Sequence, residues 1–208
     1  MREQKYPFEA QEELCFVGPL LFDKGFLNSF SPHQIIFIDG GISHCPKWIK
    51  NPFLIGDGDS AKNTSYVFSL SLEKEKDFSD LSFALGLVNQ KQEKITLLGF
   101  IGGRLDHQLC VLGECHQHLI NLPHQIIYLE ENIIYYPAGK HEVNLDGLFS
   151  LVSLEKSTVN IKGKVKYPIK NKEISPCSSW LLSNEGGGTF SIESSSPICL
   201  IKGILVND

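Results

Sequence analysis

Short apolar runs separated by polar, Gly- and Pro-containing stretches dominate the first 130 or so positions of the chain. Residues 14–17, 34–38, 53–55, 95–99 and 125–129 read as strands, because brief, near-continuous apolar segments suit strands buried on both faces. Helical spacing is readable twice between them. Residues 80–90 carry Leu81, Ala84, Leu85 and Val88 behind Ser79, a residue type fit to cap a helix N-terminus. Residues 105–120 set Leu105, Leu109, Leu112, His116 and Leu119 along one face, with Asp106 in the first turn, where its charge complements the helix dipole. This alternation predicts a three-layer α/β domain with a mostly parallel sheet over residues 1–131.

Beyond Glu130 the pattern changes. Ile133-Ile134-Tyr135-Tyr136, Phe149-Ser150-Leu151-Val152, Thr158-Val159-Asn160-Ile161, Thr189-Phe190-Ser191-Ile192 and Cys199-Leu200-Ile201 are short runs punctuated by Gly, Pro and Asn, with no helix of ordinary length. They predict an all-β, sandwich-like domain over residues 132–208, packed closely on the first for want of a Gly/Ser or Pro linker.

Composition adds exclusions. With 42% hydrophobic and 21% charged residues among 208, the chain can bury an ordinary globular core. A net charge of -5 and a pI near 5.8 argue against general nucleic-acid binding, which calls for a basic face. No apolar stretch approaches the roughly 18 residues of a membrane span, and Met1-Arg2-Glu3-Gln4-Lys5 leads into no apolar signal core, so a soluble, cytoplasmic protein is expected. The six cysteines are dispersed without a Cys-x-x-Cys pair and read as buried free thiols. Cys115-His116-Gln117-His118 offers zinc-ligand chemistry, but on a helix His116 and His118 would point to nearly opposite faces.

Two constellations carry chemistry. Phe53-Leu54-Ile55 stops abruptly at Gly56-Asp57-Gly58-Asp59-Ser60, and the period-two alternation of an extended segment puts Asp57 and Asp59 on the same side. Such paired carboxylates suit Mg²⁺, although Asp-Gly is equally an ordinary turn signal. Asp39, at the end of Ile35-Ile36-Phe37-Ile38, and the pair Asp77 and Asp80 add further carboxylates. In the second constellation, Gly99 to His107, paired Gly102 and Gly103 and then Arg104 join a strand to a helix start. Glycine backbone amides, a helix N-terminus and a guanidinium fork together make a phosphate cradle; a tight turn beside an exposed arginine is the plainer reading. His107 could face a ligand or merely pack. These are the parts of metal-assisted phosphoryl transfer, yet neither a Gly-x-x-x-x-Gly-Lys-Ser/Thr loop nor a protein-kinase catalytic loop is present in the sequence.

Taken in order, Asp39-Gly40-Gly41, Gly56-Asp57-Gly58-Asp59-Ser60, Asp77-Phe78-Ser79-Asp80, Gly102-Gly103-Arg104-Leu105-Asp106-His107 and Ser183-Asn184-Glu185 resemble thiamine pyrophosphokinases, as does Gly163-Lys164-Val165-Lys166-Tyr167-Pro168-Ile169. The resemblance implies transfer of pyrophosphate from ATP to the hydroxyl of thiamine, with Mg²⁺, by a homodimer whose active site lies at or near the subunit interface. It implies metal ligands at Asp39, Asp57, Asp59 and Asp80, and catalytic roles for Asp57, Asp59, Asp80, Arg104 and Asp106. It further implies ATP and phosphate contacts at Asp39, Gly40, Ser60, Gly102, Gly103 and Arg104, and thiamine contacts at Asp77, Ser183 and Asn184. Gly186-Gly187-Gly188 also allows a hairpin turn at the Ser183-Asn184 pair. Three positions depart from the family pattern: Gly58 replaces a larger apolar residue, Ser79 replaces Thr, and Trp180 stands in an unusual lead into Ser183, where it reads as a core or dimer-interface residue. Two rivals remain. One is a haloacid-dehalogenase-type phosphatase, whose Asp-x-Asp nucleophile motif Asp57-Gly58-Asp59 partly matches although two strands precede it; the other is a non-catalytic thiamine or nucleotide sensor.

Overall fold

The computed structural model describes residues 6, 8–58 and 66–203. The chain divides into two compact units, Met1–Glu114 and Cys115–Asp208.

In the first unit five strands lie in the order β5-β1-β2-β3-β4: β1 (Glu13–Val17), β2 (Ile35–Ile38), β3 (Phe53–Gly56), β4 (Leu70–Ser71) and β5 (Lys94–Leu98). Every pairing among them is parallel, with Val17 opposite Phe37 on one side and Leu98 on the other. The apolar runs explain this, since all four residues of β2 and the last four of β1 and β5 are buried. Cys15, Val17, Leu27, Phe37, Ile42, Ile49, Leu54 and Leu98 form one core cluster. The chain steps from β1 out to β4 and returns to the opposite side of β1 as β5, so the strand order reverses at β1. A crevice beyond the C-terminal ends of β1 and β5 is where open parallel sheets place ligands.

Among the described residues the helical layers expected around this sheet are largely missing. α1 (Asp80–Gly86) ends four residues short of the predicted Gln90, and α2 (Leu105–Asn121) is the other α-helix among the described residues. The β1–β2 and β2–β3 connections contain only 3-10 turns, over Lys24–Ser29, Pro32–Gln34 and Asp39–His44. Pro19, Gly25, Ser31, Pro32, Gly40, Gly41 and Pro46 break the intrahelical hydrogen-bond ladder there. Within α2 the predicted apolar face is corrected as well: Leu105 is 71% and Leu109 60% exposed, and burial begins at Cys115.

The second unit is antiparallel throughout. Its strands are β6 (Ile126–Leu129), β7 (Ile133–Tyr136), β8 (Gly139–Val152), β9 (Ser157–Val165), β10 (Ile169–Ile174), β11 (Asn184–Ser194) and β12 (Ile198–Lys202), in the order β10-β9-β11-β8-β12-β7-β6. Alternate residues of β9 and β11 point inward, and Phe149 stacks on Phe190 with ring centroids 4.9 Å apart inside the core. Gly186, Gly187 and Gly188 lie within β11, beside a register shift against β9, and not in a turn. The described residues therefore form twelve strands, parallel in the first unit and antiparallel in the second, with few helices, and the predicted three-layer α/β domain with a mostly parallel sheet is not what forms.

Of the cysteines, Cys15, Cys115 and Cys199 are buried, while Cys110 and Cys177 are exposed; none is bonded to another. His116 Nε2 lies 3.4 Å from Glu155 and His118 Nε2 lies 2.5 Å from Gln125, which gives each imidazole its own protein partner. No helix among the described residues is long and apolar enough to cross a membrane.

Candidate functional site

The ends of three elements deliver three carboxylates to one place in the first unit. Asp39 follows β2, Asp57 follows β3 and Asp80 opens α1, and one carboxylate oxygen from each lies within 4.8 Å of the others. Each strand ends where its apolar run ends, so the first polar side chain emerges at the sheet's C-terminal edge. Asp80 is held by the helix start: Ser79 Oγ accepts from the Ser82 amide at 3.0 Å, as its capping position predicts. Asp39 has φ 45°, a left-handed conformation that is costly for a residue with a side chain and characteristic of functional sites. Gly56 permits its close approach, because a Cβ there would stand 3.0 Å from the Cα and Cβ of Asp39. Gly58 has φ 80°, a backbone region that favours glycine, which accounts for its departure from a larger residue.

These carboxylates border a cavity of about 480 Å³ that Pro19, Phe78, Phe100, His107 and Cys110 also line. It opens at the crevice anticipated from the strand order, with Pro19 following β1 and Phe100 following β5. Electrostatically the site is crowded with negative charge. Burial raises the Asp80 carboxyl above its ordinary range; Lys76 works against this, and Asp57 and Asp39 add to it. Asp39 Oδ1 is buried with no hydrogen-bond partner among the described residues. An orphaned carboxylate oxygen next to two further carboxylates is the donor set of a hard divalent cation such as Mg²⁺.

Lys76 was not singled out from the sequence as a site residue, yet it sits in the midst of this cluster. Its ammonium lies 2.7 Å from Asp57 Oδ2 and 2.9 Å from Asp80 Oδ1 and donates to the Glu73 carbonyl at 3.0 Å. Burial opposes its charge, but the two carboxylates outweigh that and raise its pKa. The one sequence signal was its position four residues before Asp80, hidden in the alternating run Glu73-Lys74-Glu75-Lys76, which reads as a solvated stretch.

The remaining predicted residues divide by location. Gly103, Arg104 and His107 line an adjoining cavity of about 210 Å³ with Leu20, Gly99 and Gln108. Arg104 is largely exposed and forks onto Asp106, Nε at 3.1 Å and Nη2 at 2.5 Å; this bond holds the Asp106 carboxyl below its usual range. Gly40 is buried behind Asp39, and Gly102, with φ 104°, precedes the α2 start. Asp77 is exposed and borders neither cavity. Asp59 and Ser60 lie outside the described residues.

In the second unit, Ser183 donates its amide to Ser150 Oγ at 3.0 Å. Asn184 is 4% exposed: its Oδ1 accepts from the Tyr167 and Glu185 amides at 3.0 and 2.8 Å, and its Nδ2 donates to the Tyr167 carbonyl at 2.9 Å. Trp180 is 69% exposed with the Lys172 ammonium 3.7 Å from its ring centroid, so within this chain it is not a core residue.

Residues 29–126 match the family model described as "Thiamin pyrophosphokinase, catalytic domain". That span contains Asp39, Asp57, Asp80, Arg104 and Asp106. No curated protein matches the sequence. Among solved structures, a thiamine pyrophosphokinase from Bacillus subtilis is similar at 20% identity and TM-score 0.71, over 93% of this chain and 100% of its own. A thiamin pyrophosphokinase family protein from Enterococcus faecalis is similar at 20% identity and TM-score 0.71, over 92% and 99%. The thiamin pyrophosphokinase from Candida albicans shares 15% identity at TM-score 0.73, over 93% and 90%. At these identities the structural likeness carries the fold alone. Residues 29–126 of the chain are similar to the catalytic domain of thiamin pyrophosphokinases.

Proposed function

We propose that the chain transfers the pyrophosphoryl group of ATP to the hydroxyl of thiamine, giving thiamine diphosphate and AMP, with Mg²⁺ held by Asp39, Asp57 and Asp80. The observation that carries this reading is the convergence of those three carboxylates around a buried, unpartnered oxygen at the edge of a cavity, inside the segment that matches the family. Bound there, Mg²⁺ supplies positive charge against the phosphate oxygens. By resemblance, Asp59 and Ser60 complete the set of candidates.

In this reading the thiamine hydroxyl oxygen bonds to the β-phosphorus and releases its proton to water, the bond from that phosphorus to the α,β-bridging oxygen breaks, and AMP leaves with the electron pair. Gly102, Gly103 and Arg104 receive phosphate oxygens through backbone amides and the guanidinium. Asp106 keeps Arg104 oriented until a phosphate is present. The Arg104 fork lowers the Asp106 carboxyl and engages both of its oxygens, so the role of Asp106 is to orient Arg104. Residues 1–131 then serve the nucleotide and metal. Residues 132–208 contribute to thiamine binding and dimerisation through Ser183, with Asn184 fixing the backbone at Tyr167 and Glu185 beside it. The active form is a cytoplasmic homodimer.

The test is an assay of the purified protein with ATP and Mg²⁺, with and without thiamine. AMP should form only with thiamine, and Asp57→Asn should reduce the rate by roughly 10³-fold, the scale expected when charge stabilisation at a phosphoryl centre is lost. Phosphate release that ignores thiamine would favour a phosphatase instead. Thiamine or ATP binding with no product would favour a sensor.

A further inference from the structure

We propose that Lys76 is a tethered counter-ion that occupies the carboxylate cluster before the divalent cation arrives and competes with that cation for Asp57 and Asp80. This rests on the metal reading above and adds a role for a residue outside the set of ligands. The Lys76 ammonium donates to Asp57 Oδ2 and to the Glu73 carbonyl and stands in ion-pair contact with Asp80 Oδ1. The side chain is only 9% exposed, and those of Asp57 and Asp80 are 10% and 15% exposed, so solvent screens these charges weakly. Three neighbouring carboxylates would repel one another strongly if left alone. A lysine already in place neutralises part of that charge and keeps Asp57 and Asp80 aimed at a common point, at the cost of standing beside any ion that shares them. Two cations so close in a partly buried site repel, and the flexible four-carbon lysine stem is the part able to yield.

Asp39 lies outside this arrangement. Its Oδ1 receives no contact from Lys76 and has no partner among the described residues. An incoming ion therefore meets one open carboxylate first and two guarded ones afterwards. The device makes the site selective for ions whose charge suffices to displace an ammonium.

Calorimetric titration of Mg²⁺ into nucleotide-free protein tests the proposal, comparing wild type with Lys76→Met and Lys76→Arg. Removing the competing charge should tighten Mg²⁺ binding by about tenfold or more in Lys76→Met, while Lys76→Arg, which keeps the charge, should not gain affinity. A gain of affinity is a result that mere structural damage does not produce. Should Lys76→Met fail to fold, Lys76→Gln, which retains a hydrogen-bond donor without the charge, carries the same expectation. Wild-type binding with equal or weaker binding by the uncharged variant overturns the proposal and leaves the metal reading standing. Absence of Mg²⁺ binding by both proteins overturns the two together.

Discussion

Two polar side chains that bury polar atoms, one in each unit, stand in opposite circumstances. Asp39, at the end of β2, keeps a strained left-handed backbone and an oxygen without a partner. Asn184, at the start of β11, has both ends of its amide bonded to the backbone at Tyr167 and Glu185. At Asn184 buried polarity is consumed by the fold, as it is again where Ser194 bonds the Ser196 carbonyl and Ser153 bonds the Glu155 carbonyl. At Asp39, beside two further carboxylates and a cavity, it is left for something the chain itself does not supply. Unsatisfied buried charge destabilises a protein, so its retention next to a cavity marks the first unit as the place where binding energy is to be gained.

The sharpest way to break this contrast is to treat Asn184 as a ligand-facing residue. If its amide instead serves the fold, Asn184→Ala leaves the part-buried Tyr167 N–H and carbonyl unpaired and lowers stability by about 1 kcal/mol. Denaturant unfolding checks this, with the KM for thiamine measured alongside. A risen KM at unchanged stability would move Asn184 into the binding site and end the distinction between the units.

A smaller effect comes from His118, whose buried imidazole bonds Gln125. Burial lowers its pKa below the ordinary 6.5, while the Gln125 bond opposes this and nearby His124 adds to it. A histidine with a depressed folded pKa contributes stability that is present above 6.5 and is lost as pH falls through the folded value. Thermal stability should therefore decline modestly on acidification from pH 7 toward pH 5, and His118→Gln should flatten that slope. An unchanged slope in the variant would assign the decline to other groups.

The sequence made the strands legible because Ile35-Ile36-Phe37-Ile38 and Ile95-Thr96-Leu97-Leu98 are buried runs with no polar alternative. It misled about the connections, since Gly and Pro near positions 19–46 favour short 3-10 turns while their scattered apolar residues, such as Leu27 and Ile42, still reach the core. β10 escaped notice because Ile169-Lys170-Asn171-Lys172-Glu173-Ile174 is the charged edge strand of its sheet, with φ 46° at Asn171 and a register shift, and edges are commonly guarded by such charge. Asp39, Asp57 and Asp80 were visible as acidic residues ending apolar runs or opening a helix. The lysine among them was not, because its role depends on burial that an alternating charge run does not reveal.

The most direct test of the central claim, that the three carboxylates of the first unit are held for a divalent cation, is the shift in melting temperature between chelator and excess Mg²⁺ for wild type and Asp80→Asn. A cation that binds the folded chain alone must raise its stability. The account predicts a rise of several degrees in the wild type, lost in Asp80→Asn; an equal rise in both proteins, or none in the wild type, would contradict it.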